Sequence, residues 1–140
     1  AQHGVGVGGL HADHPHLGAD GLDIGCNAAD QTTAADGYKN SVQRALVLAQ
    51  EAVATGALAV LSPDQRSFLL LPYMHSESRF IHVQAERLYA EHAPAGNHDF
   101  ELRHKAIIDR FGRYPHRNAI LGRESSAEEI AFLAEPGSSF

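Results

Sequence analysis

The residues best equipped for chemistry lie in one run, Arg110-Phe111-Gly112-Arg113-Tyr114-Pro115-His116-Arg117-Asn118-Ala119-Ile120-Leu121-Gly122-Arg123. Arg110, Arg113, Arg117 and Arg123 sit with His116 and Asn118 around a glycine and a proline that turn the backbone. Guanidinium groups gathered in this way repel one another unless an anion lies between them. The counter-charge is either internal, from Glu77, Glu101, Glu124 or Glu128, or a bound carboxylate or phosphate. Upstream, Tyr73-Met74-His75-Ser76-Glu77-Ser78 follows Pro72 and sets an imidazole beside a carboxylate. His104 adds a second imidazole on an apolar stripe, where burial favours its neutral form. In an enzyme, His75 or His104 would act as base, Glu77 would orient it or polarise water, and Arg113 or Arg117 would stabilise developing negative charge. That chemistry suits a hydrolase acting on a small anionic or ester/lactone-type substrate. The alternative is a helical-repeat binding module for a peptide or small anionic ligand, held by the same arginines without catalysis. In a third, structural reading the glutamates neutralise the arginines inside the fold. Gly-x-Ser-x-Gly does not occur, so no serine-nucleophile motif competes with these readings.

The elements that must position these residues read as helices. Val42, Ala45, Leu46, Ala49, Ala52 and Val53 recur at three- and four-residue intervals, predicting an amphipathic helix capped by Asn40 or Ser41 and ended by Gly56. Ser62-Pro63-Asp64-Gln65 is a capping box with proline at the first helical position. Phe68-Leu69-Leu70-Leu71 is apolar all round and suits a helix buried between neighbours, which Pro72 kinks. A third helix is expected over about 79–92, with Ile81, Ala85, Leu88 and Tyr89 inward. Pro94-Ala95-Gly96-Asn97 should break it before a fourth helix over about 99–111, whose inner face is Phe100, His104, Ile107, Ile108 and Phe111. Ser126-Ala127-Glu128-Glu129 is a second capping box and starts a short helix carrying Ile130, Phe132 and Leu133. No alternating strand pattern occurs in residues 40–135. The predicted class is therefore all-α, built of antiparallel helical hairpins in a bundle or repeat arrangement, with an irregular N-terminal segment.

Composition divides the chain. All eleven Lys and Arg lie from Lys39 onward, whereas Asp13, Asp20, Asp23, Asp30 and Asp36 precede it together with most of the glycines. The reading is an irregular Gly/His/Asp-rich segment over 1–38 and a helical domain over 39–140. Gly4-Val5-Gly6-Val7-Gly8-Gly9 lacks the flanking strand and helix of a phosphate loop. His11, His14 and His16, with Asp20, Asp23 and Cys26, offer zinc or copper ligand types at spacings that match no closed site. No cofactor is required by the sequence. A net charge of −6 opposes general nucleic-acid binding, and a lone cysteine excludes an internal disulfide. With no membrane-length apolar run and no secretory signal at Ala1-Gln2-His3-Gly4, the expected location is the bacterial cytoplasm.

Phe68-Leu69-Leu70-Leu71-Pro72-Tyr73-Met74-His75-Ser76-Glu77-Ser78, then Gln84, then the Arg110–Arg123 run with Glu124, resemble the bacterial family known as domain of unknown function 924, over about residues 40–135. The resemblance implies a helical fold similar to tetratricopeptide-repeat proteins, and no established activity. Members of that family look longer at the N-terminus, where helices lead into an Asp-Gln-Phe-Pro-Arg-Asn motif. Here Asp30-Gln31 is followed by Thr32-Thr33-Ala34 instead. Faces that those helices would pack are then open to a second copy, so a homo-oligomer is expected beside the small anionic ligand or peptide.

Overall fold

The computed structural model describes residues 28–140, and these form six α-helices and no strand. They are α1 (Ala28–Ala54), α2 (Ala57–Val60), α3 (Pro63–Met74), α4 (Arg79–His92), α5 (Ala95–Phe111) and α6 (Ala127–Leu133), with a 3₁₀ turn at Pro115–Arg117. Consecutive helices pack as hairpins, with α4 the central element between α3 and α5, and α1 lying on α3. This is the expected all-α, tetratricopeptide-like class.

Helix α1 begins earlier than its expected caps. Ser41 donates from Oγ to the Gly37 carbonyl inside the helix, 2.8 Å, rather than capping it. Alanines at 28, 29, 34 and 35 carry helix propensity enough to extend the helix across Gly37. The helix continues unbroken through Tyr38 and Lys39, where the charge pattern changes. His11, His14, His16 and Cys26 lie outside the described residues.

The other boundaries follow their local chemistry. Ser62 and Gln65 form the reciprocal capping box of α3, and Ser126 and Glu129 that of α6. Ser78 Oγ accepts the Ile81 amide at the start of α4. Helix α5 starts at Ala95, not near 99, because Pro94 ends α4 and its carbonyl then accepts the Asn97 and His98 amides. Gly112, with φ of 70°, closes α5 in the left-handed conformation. Arg79 reaches over that end, donating Nε to the Ile108 carbonyl at 3.2 Å and Nη2 to the Asp109 carbonyl at 3.1 Å. A cation so placed satisfies last-turn carbonyls and complements the helix dipole.

One core joins α1 to α4 through Ala49, Leu58, Leu70, Tyr73, Met74, Ile81, Ala85 and Tyr89. A second joins Ile107, Ile108 and Tyr114 to Phe111 and Phe132. Two expected core members fall outside them. Phe68 is 77% exposed, because the neighbours of α3 cover only part of its surface and, of Phe68–Leu71, leave only Leu70 fully inside. Phe100, 52% exposed, turns outward beneath the Arg103 guanidinium.

Candidate functional site

Gly112, the Pro115–Arg117 turn and Gly122 (φ 62°) fold the arginine run back on itself. Three of its arginines meet carboxylates. Arg113 is bidentate to Glu129, Nε at 2.6 Å and Nη2 at 2.7 Å, and also donates to the Glu124 carbonyl. Glu129 accepts the Ser126 amide and Asn118 Nδ2 as well, and the Arg113 hydrogen bonds hold its carboxyl down at about 2. Arg123 is bidentate to Glu77 at 2.6 and 2.9 Å and donates to Asn118 Oδ1 and the Tyr114 carbonyl. Glu77 also accepts the Tyr114 amide at 2.8 Å. Burial pushes the Glu77 carboxyl up, but Arg123 and that amide together bring it below the ordinary range. Arg110 pairs with Glu128 at the surface. Arg110, Arg113, Asn118 and Arg123 thus brace the turn.

Arg117 differs. It is only 7% exposed, yet no carboxylate among the described residues lies within ion-pair distance. Nη1 donates to the His75 carbonyl at 2.8 Å, and the guanidinium carbon lies 4.4 Å from the Tyr114 ring centre and 5.8 Å from that of Tyr38. Such cation–π contacts hold a desolvated guanidinium without neutralising it. Arg117 lines a cleft of about 330 Å³ between α1, the link from α3 to α4, and the turn reaching Leu121. Lys39, His75 and Glu77 share the cleft, so its charges include two fixed cations and one carboxylate already committed to Arg123. A larger surface hollow of about 450 Å³ beside Phe68 holds Asp64 as its one charged group and offers no comparable chemistry.

Behind the cleft lies a cluster of imidazoles around Tyr114. His75 Nδ1 lies 2.8 Å from the Leu71 carbonyl, and since a carbonyl only accepts, that nitrogen carries the proton. In the neutral ring Nε2 bears the lone pair; it makes no hydrogen bond within the described residues and is not a buried orphan. The His104 ring centre is 5.2 Å from that of His75, edge to face, and its Nδ1 donates to the Phe100 carbonyl at 2.7 Å. His104 is buried as expected, with Nε2 unpartnered, and burial lowers its pKa to about 4. Phe140 stacks on its other face at 3.7 Å. His116 lies 5.6 Å from the Tyr114 ring centre and is held below its ordinary pKa by burial, then by Arg117. Of the expected catalytic group, His75 and Glu77 share the cleft with Arg117. His104 stands behind His75 and does not line the cleft.

Sequence reasoning missed the buried pair at the centre of the molecule. His82 Nδ1 meets Glu101 Oε1 at 2.7 Å, both side chains being fully buried, while His82 Nε2 lies 2.8 Å from the Ser76 carbonyl and 3.2 Å from the Tyr114 hydroxyl. Burial raises the Glu101 carboxyl, opposed by the hydrogen bond from His82. The signal lay in the spacing. His82, Ala85 and Tyr89 share one helical face, as do Glu101, His104 and Ile108, so each polar residue sits on a core stripe. Among the described residues there is no cluster of three metal-ligating side chains and no helix long and apolar enough to cross a membrane.

Fold and site define an all-α protein of packed helical hairpins with a cationic cleft beside a buried histidine and tyrosine cluster. The chain belongs to the family described as bacterial protein of unknown function (DUF924), whose model matches residues 30–137. It is similar to the structure of a protein of unknown function from Agrobacterium tumefaciens, at 34% identity and a TM-score of 0.63, over 66% of this chain and 52% of that one. The chain therefore matches about half the length of that relative. No curated protein matches it.

Proposed function

We propose that the cleft between α1 and the link from α3 to α4 binds a small anionic molecule. The observation that carries this reading is Arg117, a buried guanidinium with no carboxylate partner among the described residues, lining a cleft of about 330 Å³. A cation removed from water without a counter-ion raises the free energy of the empty site, and an entering anion offsets that cost. The braced arginines fix the turn, and Arg117 is left to the ligand. Added anion should raise the unfolding midpoint, by an amount equivalent to about 2.7 kcal/mol at a hundredfold excess over Kd. In Arg117→Ala this anion-dependent rise should vanish, while the midpoint without anion stays near that of the parent. A variant that unfolds far more readily and keeps its response to anion would assign Arg117 to the scaffold.

One observation favours a hydrolytic use of the same cleft. The Leu71 carbonyl fixes His75 in the tautomer whose Nε2 can accept a proton. Water would attack an acyl carbon while His75 Nε2 takes its proton; the acyl–oxygen bond breaks, and the proton passes to the leaving oxygen. Leu71, rather than Glu77, then orients the base, since Glu77 is engaged by Arg123. Hydrolysis of p-nitrophenyl butyrate should fall at least about 100-fold in His75→Gln, with loss mainly in kcat. Equal rates in the two proteins would restrict the cleft to binding.

A further inference from the structure

We infer that the ligand of the Arg117 cleft is a monocarboxylate carried on an apolar body, a conclusion that rests on the anion-binding reading above. Three independent features select this class over phosphate and over neutral molecules.

The first is the free edge of the guanidinium. Nη1 is committed to the His75 carbonyl, whereas Nε and Nη2 make no hydrogen bond within the described residues and are not among the buried orphaned atoms. Two parallel N–H bonds on one edge match the two oxygens of a carboxylate. Tyr38 and Tyr114, both against the guanidinium, hold its plane and so aim that edge.

The second is charge. Glu77 lines the same cleft, and its single carboxylate is shared between a bidentate bond to Arg123 and the Tyr114 amide. A monoanion balances the buried Arg117, while Lys39, the other cation of the cleft, is exposed and solvated. A phosphate dianion would bring a second charge toward Glu77, where like charges repel most strongly at low dielectric.

The third is the remainder of the wall. Val42 and Leu46 from α1, Ile81 from α4 and Leu121 from the turn line the same cleft. An apolar wall beside a charged anchor gains nothing from acetate or phosphate and gains with every methylene placed against it. The cleft volume of about 330 Å³ leaves room for a body of several carbons beyond the carboxylate.

The probes are acetate, butyrate, hexanoate, hexanol and inorganic phosphate, titrated calorimetrically into the full chain. Affinity should rise about fourfold per methylene from acetate to hexanoate, with hexanol and phosphate at least tenfold weaker than hexanoate. Val42→Ser with Leu121→Ser should flatten the chain-length series, lowering hexanoate affinity far more than acetate affinity. Arg117→Lys, which keeps the charge and loses the fork, should weaken every carboxylate. Phosphate binding more tightly than hexanoate, or a flat series in the parent, would overturn the carboxylate class and leave anion binding standing. Absence of any anion response in the parent would overturn both readings. Hexanol binding as well as hexanoate, with Arg117→Lys unaffected, would show an apolar cleft in which the guanidinium takes no part.

Discussion

Replacing Glu101 with alanine is expected to destabilise the protein by about 3–5 kcal/mol, the cost of removing one partner from a fully buried pair. The loss exceeds that of a simple cavity because His82 has acceptors on both sides, Glu101 at Nδ1 and the Ser76 carbonyl at Nε2. Without the carboxylate, Nδ1 faces no partner at zero exposure. Glutamine should be far milder at this position. Its amide can donate to Nδ1 while a neutral His82 keeps its Nε2 proton for Ser76, so every polar atom of the ring remains satisfied. Urea unfolding should therefore rank the parent slightly above Glu101→Gln and both well above Glu101→Ala. Near-equal stability of all three would mean that the pair contributes no net cohesion between α4 and α5.

Acidification should destabilise the fold in the window set by His104. Its pKa is about 4 when folded, against about 6.5 when exposed in the unfolded chain. A base with a depressed folded pKa binds more protons in the unfolded state between those values, so its contribution is complete above pH 6.5 and falls as pH drops toward 4. The full difference corresponds to about 3 kcal/mol, of which about 2 kcal/mol is lost by pH 5. His116, also depressed by burial, acts in the same direction. The check is the urea midpoint from pH 7.5 to 4.5 in the parent and in His104→Asn, whose amide can still donate to the Phe100 carbonyl. The variant should show a markedly shallower dependence; an unchanged slope would place the acid sensitivity elsewhere.

Both residues show how unevenly the sequence discloses its structure. Ser62 with Gln65, Ser126 with Glu129, and Gly112 announce helix boundaries because capping is a contact between near neighbours in the chain. The start of α1 was hidden because alanine propensity is a diffuse signal, whereas the glycine content and the absence of basic residues before Lys39 set the whole segment apart. His104 was legible as buried from its stripe alone. Its distance from the cleft was not, since that depends on how α5 meets the link from α3 to α4. The arginine cluster was visible as a need for counter-charge, but sequence could not assign partners separated by 46 residues, as Arg123 and Glu77 are. Arg117 became distinct only once its neighbours were accounted for. The anion-binding residues expected at 110, 113 and 123 are consequently engaged within the turn, and Tyr38 enters the cleft, beside Lys39, from the segment the charge pattern had set apart.

Tyr114 ties the turn to the rest of the chain at two points. Its amide is held by Glu77, 37 residues earlier, and its hydroxyl by the Met74 carbonyl, 40 residues earlier. Closing loops of that length is entropically uphill until the contacts on either side are made. The clasp is therefore expected to close after α3, α4 and α5 have docked. The Arg117 contact with the His75 carbonyl spans the same two stretches of chain as the clasp, so the cleft is expected to form with it. An anion that bound the cleft would in consequence stabilise the folded state as a whole rather than any partly assembled form.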